Sequence, residues 1–346
     1  MYPPPEPLLR RCFDLARLGA GSVSPNPLVG AVLAHEGRII GEGWHQHYGK
    51  AHAEVNCLRS VIPENQRLIS HSTLYCSLEP CFHFGKTPPC VDLVLAQKIL
   101  RVVVSNPDPN PQVAGQGLQK LRAAGVDVTT GVLETEGHWL NRAFFTWIGQ
   151  RRPHIILKWA QSRDGYLGRV GERTAISGPV AQRLVHRWRS EVDAILVGAT
   201  TAQVDNPRLD NRLFFGKSPL RLAFDIGGRL SSTAHLLDDT APTWIFGPPR
   251  RGRWQQTQFF RTTEKVLIPH LLEQLQLANR AILLVEGGSR ILHQWLAEGW
   301  WDEIRIIKNE RRLAAGVAAP NVPTRAVQRE AYQVGGDQVE VWARQP

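Results

Sequence analysis

The sequence predicts two consecutive α/β domains, each with several parallel strands covered by helices. Two observations support this fold class. Strands and helices alternate along both halves of the chain, a pattern typical of α/β layers. The chain has 346 residues, and at ~150 residues per domain this length suggests two domains. The boundary is expected near residues 148–153, where IGQRRP places Gly, two Arg and Pro between two periodic segments.

Hydrophobic periodicity and turn residues predict the elements of the first half. The expected order is a helix from residue 6 to Gly19 or Gly21, a hairpin over 28–46, a helix over 51–61, a strand over 72–78, a helix over 88–98, a strand over 101–106, a helix over 114–125, a strand over 126–132 and a helix over 134–150. The later strands are separated by helices, which indicates parallel pairing.

The second half restarts after RRPH with the same alternation. The expected order is a strand over 154–162, a helix over 179–191, strands over 194–199, 219–225, 243–247 and 265–269, a helix over 270–278, a strand over 281–288, a helix over 289–299, and strands over 302–309 and 338–344. The strand over 281–288 ends in two glycines directly before a helix, where a pyrophosphate could approach the helix N-terminus. A simple turn explains the same two glycines equally well.

Composition is that of an ordinary globular protein, with 42% apolar and 21% charged residues. Five cysteines in a chain of this length do not indicate a disulfide framework, so a reducing cytoplasm is the expected location. The N-terminal MYPPPEPLLRR lacks the apolar core of a signal peptide. No run of 18 apolar residues is present, so we expect no membrane span.

The net charge of +10 raises nucleic-acid binding as an alternative. However, the basic residues are spread along the chain, and no block of five or more occurs. The sequence also lacks an aromatic-basic RNA motif. An editing deaminase would need a groove for flanking nucleotides, which nothing in the sequence indicates. We therefore expect a basic surface or a phosphorylated small-molecule ligand, and no nucleic-acid partner.

One set of metal-ligand residue types carries the strongest chemical signal. His52 and Glu54 form an H-x-E pattern, and Cys81 and Cys90 follow in SLEPCFHFGKTPPC. Zinc takes imidazole and thiolate ligands in tetrahedral geometry, and a catalytic site leaves the fourth position to water. Glu54 is then free to move a proton from that water to a leaving amine. The order of these residues is the one used by zinc nucleobase deaminases.

Other interpretations of the cysteines remain open at this point. The Cys81–Cys90 pair could form a disulfide, a reactive thiol site or part of the core. A purely structural zinc site would need a fourth protein ligand, for which His83 is the nearby candidate. The remaining three cysteines fall at apolar positions and are expected to be packing residues. They are Cys12, Cys57 and Cys76.

Several longer stretches support a more specific interpretation. They are SPNPLVGAV (24–32), HAE (52–54), LEPCFHFGKTPPC (78–90), DPNPQVAGQGLQKLRAAG (108–125), LNRAFF (140–145), LKWAQSRDG (157–165) and RSEVDAILVGATTAQVDNPRLDNR (189–212). Together they resemble the bifunctional riboflavin-biosynthesis deaminase–reductases, a family in which eight residues between the two cysteines are the rule. The resemblance covers nearly the whole chain and is most specific in residues 24–145.

The resemblance implies a cytidine-deaminase-like α/β/α domain over 1–147 and a dihydrofolate-reductase-like α/β domain over 153–346. The first would use Zn²⁺ to hydrolyse the 2-amino group of 2,5-diamino-6-ribosylamino-4(3H)-pyrimidinone 5′-phosphate. The second would use NADPH to reduce the ribosyl group, giving 5-amino-6-(5-phosphoribitylamino)uracil. The implied partner is therefore a phosphorylated pyrimidine, and the implied assembly is a homo-oligomer.

Positions that match the family's motifs carry over its functional residues. The implied zinc ligands are His52, Cys81 and Cys90, with Glu54 as the catalytic proton shuttle. The implied substrate contacts are Asn26, His45, Lys86, Lys158, Arg189, Leu209, Arg212 and Glu286. The implied cofactor contacts are Ala160, Thr201, Asp205, Gly287, Gly288 and Ser289. Lysine and arginine side chains suit a substrate phosphate. The structural alternatives are a turn residue for Asn26 and surface residues for the histidine, lysines and arginines.

Four positions in the second half depart from the family pattern. Arg163 replaces a Leu, Arg173 a substrate-contacting Ser, Ala175 a cofactor-stacking Trp, and Ile226 a Ser. These departures define an alternative hypothesis, a deaminase whose reductase-like domain is inactive or altered in specificity. They leave the motifs of the first half untouched.

Overall fold

The computed structural model of the protein describes residues 4–82, 88–110, 114–250, 252 and 254–345. The chain divides into two compact units, Met1–Arg151 and Arg152–Pro346. We call them unit 1 and unit 2 and describe each by itself. Within the described residues, no helix combines the length and apolarity needed to cross a bilayer.

Unit 1 is built on a five-stranded mixed sheet. Its elements are α1 (Glu6–Arg17), β1 (Gly30–His35), β2 (Arg38–Trp44), α2 (Ala53–Arg59), a 3-10 segment (Pro63–His71), β3 (Thr73–Leu78), α3 (Cys90–Ala96), β4 (Arg101–Asn106), α4 (Gln116–Ala123), β5 (Asp127–Thr130), α5 (Glu134–Leu140) and α6 (Arg142–Gln150). The strand order is β2-β1-β3-β4-β5. β1 is antiparallel to β2 and β3, and β3, β4 and β5 are parallel.

Helices cover both faces of this sheet. Alternate side chains of a strand point to opposite faces, so Leu33 packs in the cluster that holds α2, α3 and α4, while Val32 packs in the cluster that holds α1. Both side chains are fully buried, and each such aliphatic side chain stabilises the fold by about 1.5–3 kcal/mol. Cys12, Cys57 and Cys76 are buried free thiols in these clusters. The α/β/α layering predicted for this half is confirmed.

The helix predicted over 134–150 is two helices in the structure. The break falls at Asn141, whose backbone leaves helical geometry at φ −102° and ψ 17°. Its side chain accepts a hydrogen bond from the backbone N–H of Leu28 at 2.8 Å and donates one to the carbonyl oxygen of Leu28 at 2.9 Å. The Asn141 amide thereby pairs with the Leu28 backbone as a neighbouring strand would. It fixes the segment that leads into β1.

Unit 2 is built on a nine-stranded sheet. Its elements are β6 (His154–Ser162), β7 (Tyr166–Gly168), α7 (Pro179–Glu191), β8 (Ala194–Gly198), α8 (Ala199–Asp205), β9 (Leu220–Phe224), a 3-10 turn (His235–Leu237), β10 (Thr243–Phe246), β11 (Thr257–Phe260), a 3-10 turn (Glu264–Val266), α9 (Leu267–Leu277), β12 (Ile282–Glu286), α10 (Ser289–Ala297), β13 (Glu303–Asn309), β14 (Val317–Ala318), β15 (Ala326–Val334) and β16 (Asp337–Arg344). The strand order is β11-β10-β9-β8-β12-β6-β13-β16-β15, and β7 pairs with β14 separately.

Pairing in the large sheet is parallel from β11 to β13, and only β16 and β15 run antiparallel to their neighbours. Buried strands of this kind read as continuous apolar runs, as in β8, whose residues Ala194, Ile195, Leu196 and Val197 are all buried. Helices pack on both faces and form two apolar clusters. The α/β class predicted for this half is confirmed.

The strand predicted over 265–269 is wrong. Residues Glu264–Val266 form a 3-10 turn, and Leu267–Leu277 form α9. The buried residues of α9 recur at helical spacing, with Leu267, Leu271 and Leu275 on the core side. Pro269 lies in the first turn of α9, where its missing N–H costs no helical hydrogen bond. The helix α8 and the strands β7, β11, β14 and β15 were not predicted.

Candidate functional site

Three local structures bring the predicted metal ligands of unit 1 together. His52 is the N-cap of α2, Cys90 is the first residue of α3, and Cys81 lies in the irregular segment that follows β3. Helix N-termini carry the positive end of the helix dipole, which favours a thiolate over a thiol. Both cysteines are free thiols, so the disulfide interpretation is wrong.

The spacing of the ligand atoms fits a tetrahedral zinc ion. Nδ1 of His52 lies 3.4 Å from Sγ of Cys81 and 3.5 Å from Sγ of Cys90, and the three ligand atoms lie within 4.8 Å of one another. With Zn–S and Zn–N bonds of usual length, tetrahedral angles place sulfur and nitrogen about 3.6 Å apart. The three side chains can therefore hold zinc in the positions that they already occupy.

Hydrogen bonds stabilise a thiolate at Cys81. Interactions with Cys90 and with His52 hold the pKa of Cys81 well below its usual range, against the opposing effect of burial. The backbone N–H of Cys90 donates to the same sulfur at 3.3 Å. The N–H of Val91 donates to the carbonyl oxygen of Cys81 at 3.2 Å, which ties the cysteine turn to α3.

Glu54 lies in the first turn of α2, two residues after the ligand His52. Its side chain is only 3% exposed. Burial raises the pKa of Glu54 to about 7, and the negative charge of Cys81 adds to the shift. A carboxyl group with a pKa near neutrality both accepts and returns a proton easily, which is the property required of a general acid–base.

The predicted substrate residues Asn26 and His45 are in contact. Nδ2 of Asn26 lies 3.1 Å from Nε2 of His45. The His45 ring packs edge-on against the His52 ring, with 5.4 Å between the ring centroids. Both residues therefore lie beside the metal ligands. The third predicted contact, Lys86, lies outside the described residues, as does His83, the candidate fourth ligand of a structural zinc site.

Unit 2 contains a cavity of about 800 Å³. Every substrate or cofactor residue that the sequence predicts for this half lines it. They are Lys158, Ala160, Arg189, Thr201, Asp205, Leu209, Arg212, Glu286, Gly287, Gly288 and Ser289. Arg189 comes from α7, and the others come from β6, from the segments that follow β8, and from the end of β12 and the start of α10. Most of the lining therefore lies at the carboxyl ends of parallel strands. This is where open α/β sheets bind ligands.

A buried charge cluster forms the polar wall of this cavity. Arg189 donates two parallel hydrogen bonds to the Glu286 carboxylate, from Nε at 2.9 Å and from Nη2 at 2.8 Å. Nζ of Lys158 lies 3.7 Å from the same carboxylate. Burial by itself would raise the pKa of Glu286, but the charges of Arg189 and Lys158 outweigh it and lower the value to about 2. Burial lowers the pKa of Lys158, and Glu286 offsets part of that effect.

The two glycines after β12 bring the backbone close to α8. Gly287 and Gly288 adopt φ values of +123° and +35°, which side-chain-bearing residues rarely adopt. A Cβ atom on Gly287 would lie 3.0 Å from Cγ2 of Thr201, and one on Gly288 would lie 2.9 Å from Oγ1 of Thr201. Ser289 at the start of α10 also lines the cavity, and a helix N-terminus is a favourable position for an anionic group.

The four departures from the family pattern fall in different places. Arg173 and Ala175 line the cavity, and the charge of Arg173 acts on Asp205 on the opposite element α8. Arg163 is exposed and pairs with Glu310 at 3.2 Å, while Ile226 packs against the apolar core. Two of the four replacements therefore face the ligand space.

Sequence reasoning missed several residues of both sites. In unit 2, His186 and Arg208 also line the cavity. The spacing of His186, three residues before Arg189 on α7, is the signal that could have placed both on one helix face. In unit 1, the buried Glu79 precedes the cysteine turn and binds three backbone N–H groups. Its position next to Pro80-Cys81 was visible, but its partners depend on the folded loop.

Comparison with known proteins gives a consistent result. The model of the cytidine and deoxycytidylate deaminase zinc-binding region matches residues 5–106. The model of the RibD C-terminal domain matches residues 153–309. The riboflavin biosynthesis protein RibD of Aquifex aeolicus (strain VF5) is 36% identical over 339 residues, covering 96% of this chain and 94% of that protein.

Other relatives agree. RibD of Escherichia coli (strain K12) is 34% identical over 324 residues, covering 87% of this chain and 86% of that protein. A crystal structure from Thermotoga maritima, described as a diaminohydroxyphosphoribosylaminopyrimidine deaminase/5-amino-6-(5-phosphoribosylamino)uracil reductase, matches with a TM-score of 0.89 and 31% identity over 98% of each chain. The chain therefore belongs to the RibD family of riboflavin biosynthesis proteins, with a deaminase region followed by a RibD C-terminal domain.

Proposed function

We propose that the protein carries out two consecutive reactions of riboflavin biosynthesis on one phosphorylated pyrimidine. Unit 1 deaminates 2,5-diamino-6-ribosylamino-4(3H)-pyrimidinone 5′-phosphate, and unit 2 reduces the ribosyl group of the product with NADPH. The convergence of His52, Cys81 and Cys90 beside the buried Glu54 is the observation that carries the first assignment. The cavity that gathers all the residues expected of the reductase supports the second.

In the deamination step, the chain supplies ligands, an acid–base group and orientation. Zinc, when bound by His52, Cys81 and Cys90, acts as a Lewis acid that lowers the pKa of water. Glu54 removes a proton from the attacking water and delivers it to the departing amine, so that ammonia leaves and a carbonyl replaces the C–NH₂ group. Asn26 and His45, which contact each other and lie beside the ligand His52, hold the pyrimidine beside the metal ligands.

In the reduction step, the chain supplies phosphate recognition and a proton. NADPH, when bound, supplies the hydride. Arg212 is assigned to the substrate phosphate, because guanidinium groups bind phosphate in bidentate geometry. Arg189 donates to Glu286 and to the carbonyl oxygen of Asp210, and it holds the Glu286 carboxylate at the substrate. Lys158 is buried beside Glu286, and it orients or protonates the ribosyl oxygen as the hydride is transferred. Gly287, Gly288 and Ser289 leave room for the cofactor phosphates at the start of α10.

The alternative of a deaminase with an inactive second domain is not supported by the described residues. Arg189 makes both hydrogen bonds to Glu286, and Lys158 forms an ion pair with the same carboxylate. Arg173 adds a cation to the cavity in place of a small polar group. The proposal also includes a cytoplasmic location and a homo-oligomer, which rest on the free thiols and on the family resemblance respectively.

A single assay tests the proposal. Purified zinc-loaded protein is given the diamino substrate, first without and then with NADPH, and ammonia and NADPH are followed in the same sample. We expect ammonia release without NADPH and one NADPH oxidised per ammonia once NADPH is added. Ammonia release with no NADPH oxidation would refute the reductase assignment. A folded, zinc-bound sample that releases no ammonia would refute the deaminase assignment.

A further inference from the structure

The carboxylate of Glu79 binds three backbone N–H groups of a distant segment. Oε2 accepts hydrogen bonds from the N–H groups of Asp108 at 3.1 Å and Gly115 at 3.0 Å, and Oε1 accepts one from Leu118 at 3.2 Å. The side chain is 4% exposed. A buried carboxylate needs such partners, because an unsatisfied buried charge is costly.

The two segments that Glu79 joins follow the carboxyl ends of neighbouring strands. Glu79 follows the end of β3, and Asp108 follows the end of β4. β3 and β4 are adjacent and parallel, so the loops after them leave the sheet at the carboxyl ends of the strands. This is the side on which α/β proteins bind ligands. Cys81, a predicted zinc ligand, is two residues beyond Glu79. The Glu79 carboxylate therefore connects the turn that carries a metal ligand to the loop over residues 107–110.

Helix α4 also packs directly on the segment that carries Cys81. A Cβ atom on Gly117 would lie 2.5 Å from the carbonyl oxygen of Pro80 and 3.0 Å from Oε1 of Glu79. On the other side of Cys81, the ammonium group of Lys120 lies 5.3 Å from the centre of the Phe82 ring. The first turns of α4 thus contact residues on both sides of Cys81, and they can do so only because residue 117 has no side chain.

We propose that Glu79 is a positioning residue of the deaminase site. It sets the placement of the loop over residues 107–110 and of α4 relative to the Cys81 turn, and it touches neither zinc nor substrate. The proposal rests on the proposed deamination, because the segment that Glu79 ties to the 107–110 loop and to α4 carries the predicted zinc ligand Cys81. Loss of the three hydrogen bonds would let the loop and α4 move relative to that segment while the zinc ligands stay in place.

The chemistry of the carboxylate explains why glutamate is required. All three partners are N–H donors, so both side-chain oxygens must accept. In Glu79→Gln, one oxygen becomes an NH₂ group that faces a backbone N–H, and at least one hydrogen bond is replaced by a donor–donor contact. Because a misplacement of about 1 Å can cost on the order of 10²-fold in catalysis, we expect KM to rise about tenfold or more with a smaller change in kcat.

The test compares Glu79→Gln with Asp225→Asn. Asp225 makes a similar clamp in unit 2, where its carboxylate accepts hydrogen bonds from the N–H groups of Arg229 and Leu230. The measurements are zinc content, KM and kcat for ammonia release, and amide hydrogen exchange. For Glu79→Gln we expect full zinc content, a raised KM, and faster exchange confined to Asp108, Gly115 and Leu118. The Asp225→Asn variant is expected to keep the KM of the wild type.

Three outcomes would overturn the proposal. They are a wild-type KM in Glu79→Gln, unchanged exchange at the three amides, or loss of zinc together with a general loss of protection, which would indicate a purely structural role. If Glu79→Gln does not fold, Gly117→Ala tests the same contact, because it forces α4 away from the Pro80 carbonyl; a wild-type KM there also contradicts the proposal. If the wild type releases no ammonia, the proposed function fails, whereas the exchange measurement still tests the clamp.

Discussion

Nδ1 of His45 lies 3.1 Å from the carbonyl oxygen of Ala51, while Nε2 of the same ring lies 3.1 Å from Nδ2 of Asn26. A carbonyl oxygen can only accept, so Nδ1 carries the proton and Nε2 accepts from the Asn26 amide. This chain of contacts leaves Oδ1 of Asn26 as the acceptor that can meet a donor group of the substrate. The orientation of the Asn26 amide is thus determined by a backbone carbonyl, through the tautomer of His45.

Replacing Asn26 with aspartate should favour the protonated form of His45. In the wild type, burial lowers the pKa of His45. An aspartate at position 26 can only accept, so Asn26→Asp favours the imidazolium form and should raise the pKa of His45, as followed by NMR titration of the ring nitrogens. Asn26→Ala is the control, since it removes the contact without adding charge. Equal His45 pKa values in the two variants would contradict the direct contact between the side chains of residues 26 and 45.

Removing the carboxylate of Glu54 should separate zinc binding from catalysis. Glu54 is buried beside the ligands but is not needed as one. We expect Glu54→Gln to keep zinc and fold and to lower the turnover of ammonia release by about 10²–10⁴-fold, the usual contribution of a general acid–base. Glu64→Gln changes an exposed glutamate of the same unit and serves as the control. Near-normal turnover in Glu54→Gln would exclude the proton-shuttle role.

Zinc content should depend on Cys81 and not on the core cysteines. Cys81→Ser replaces a thiolate ligand with a hydroxyl that stays protonated, so zinc should be lost to a mild chelator. Cys57→Ala should retain one zinc per chain, because the Cys57 thiol is fully buried in the apolar cluster around α2. Zinc content is measured by atomic absorption after dialysis. Stoichiometric zinc in Cys81→Ser would rule out the predicted ligand set.

A methyl group at Gly287 should block the cofactor side of the cavity. The added Cβ would lie 3.0 Å from Cγ2 of Thr201, at a φ of +123°. We expect Gly287→Ala to weaken NADPH binding by at least about tenfold, which corresponds to ~1.4 kcal/mol. Gly125→Ala is the matched control, because it imposes positive-φ strain with no atom within 4 Å of the new Cβ. Fluorescence titration measures the NADPH affinity of both variants. Equal NADPH affinities of Gly287→Ala and Gly125→Ala would disprove the assignment.

The protonation of His186 should contribute to the pH dependence of the free energy of unfolding. Burial, with a further contribution from Arg189, lowers the pKa of His186 from 6.5 to about 4. The unfolded chain therefore binds more protons than the folded one between these values, and the free energy of unfolding falls as the pH falls from about 6.5 to about 4. This contribution is absent in His186→Gln, whose stability should fall less steeply. Urea unfolding at fixed zinc measures the two slopes, with exposed His71→Gln as the control; identical slopes in wild type and His186→Gln would contradict this prediction.

The metal site could be predicted from sequence because ligand chemistry restricts the choice of residues. His52, Cys81 and Cys90 are the residue types that zinc selects, and each follows a strand or begins a helix whose periodicity is clear. The reductase residues were identified by resemblance, and the cavity gathers most of them because they lie at or near the carboxyl ends of β6, β8 and β12, while Arg189 reaches it from α7. In both cases, local patterns determine which elements form, and parallel topology brings the ends of the strands together.

Features that depend on the folded backbone could not be predicted. The break at Asn141 arises because its amide bonds to Leu28, more than a hundred residues earlier in the chain. The apolar run at 265–269 fits a strand locally, and only its burial against the core selects a helix. The Glu79 clamp requires a loop conformation that brings three N–H groups to one carboxylate. Tertiary contacts override local propensity at all three positions.

The most direct test of the account is the combined measurement of ammonia and NADPH on zinc-loaded protein given the diamino substrate. We predict that ammonia appears before NADPH is added and that Glu54→Gln abolishes both signals, because the reductase then receives no product. Supplying the deaminated intermediate to Glu54→Gln should restore NADPH oxidation. Ammonia release that survives in Glu54→Gln, or no ammonia from folded wild-type protein that holds one zinc per chain, would contradict the central claim.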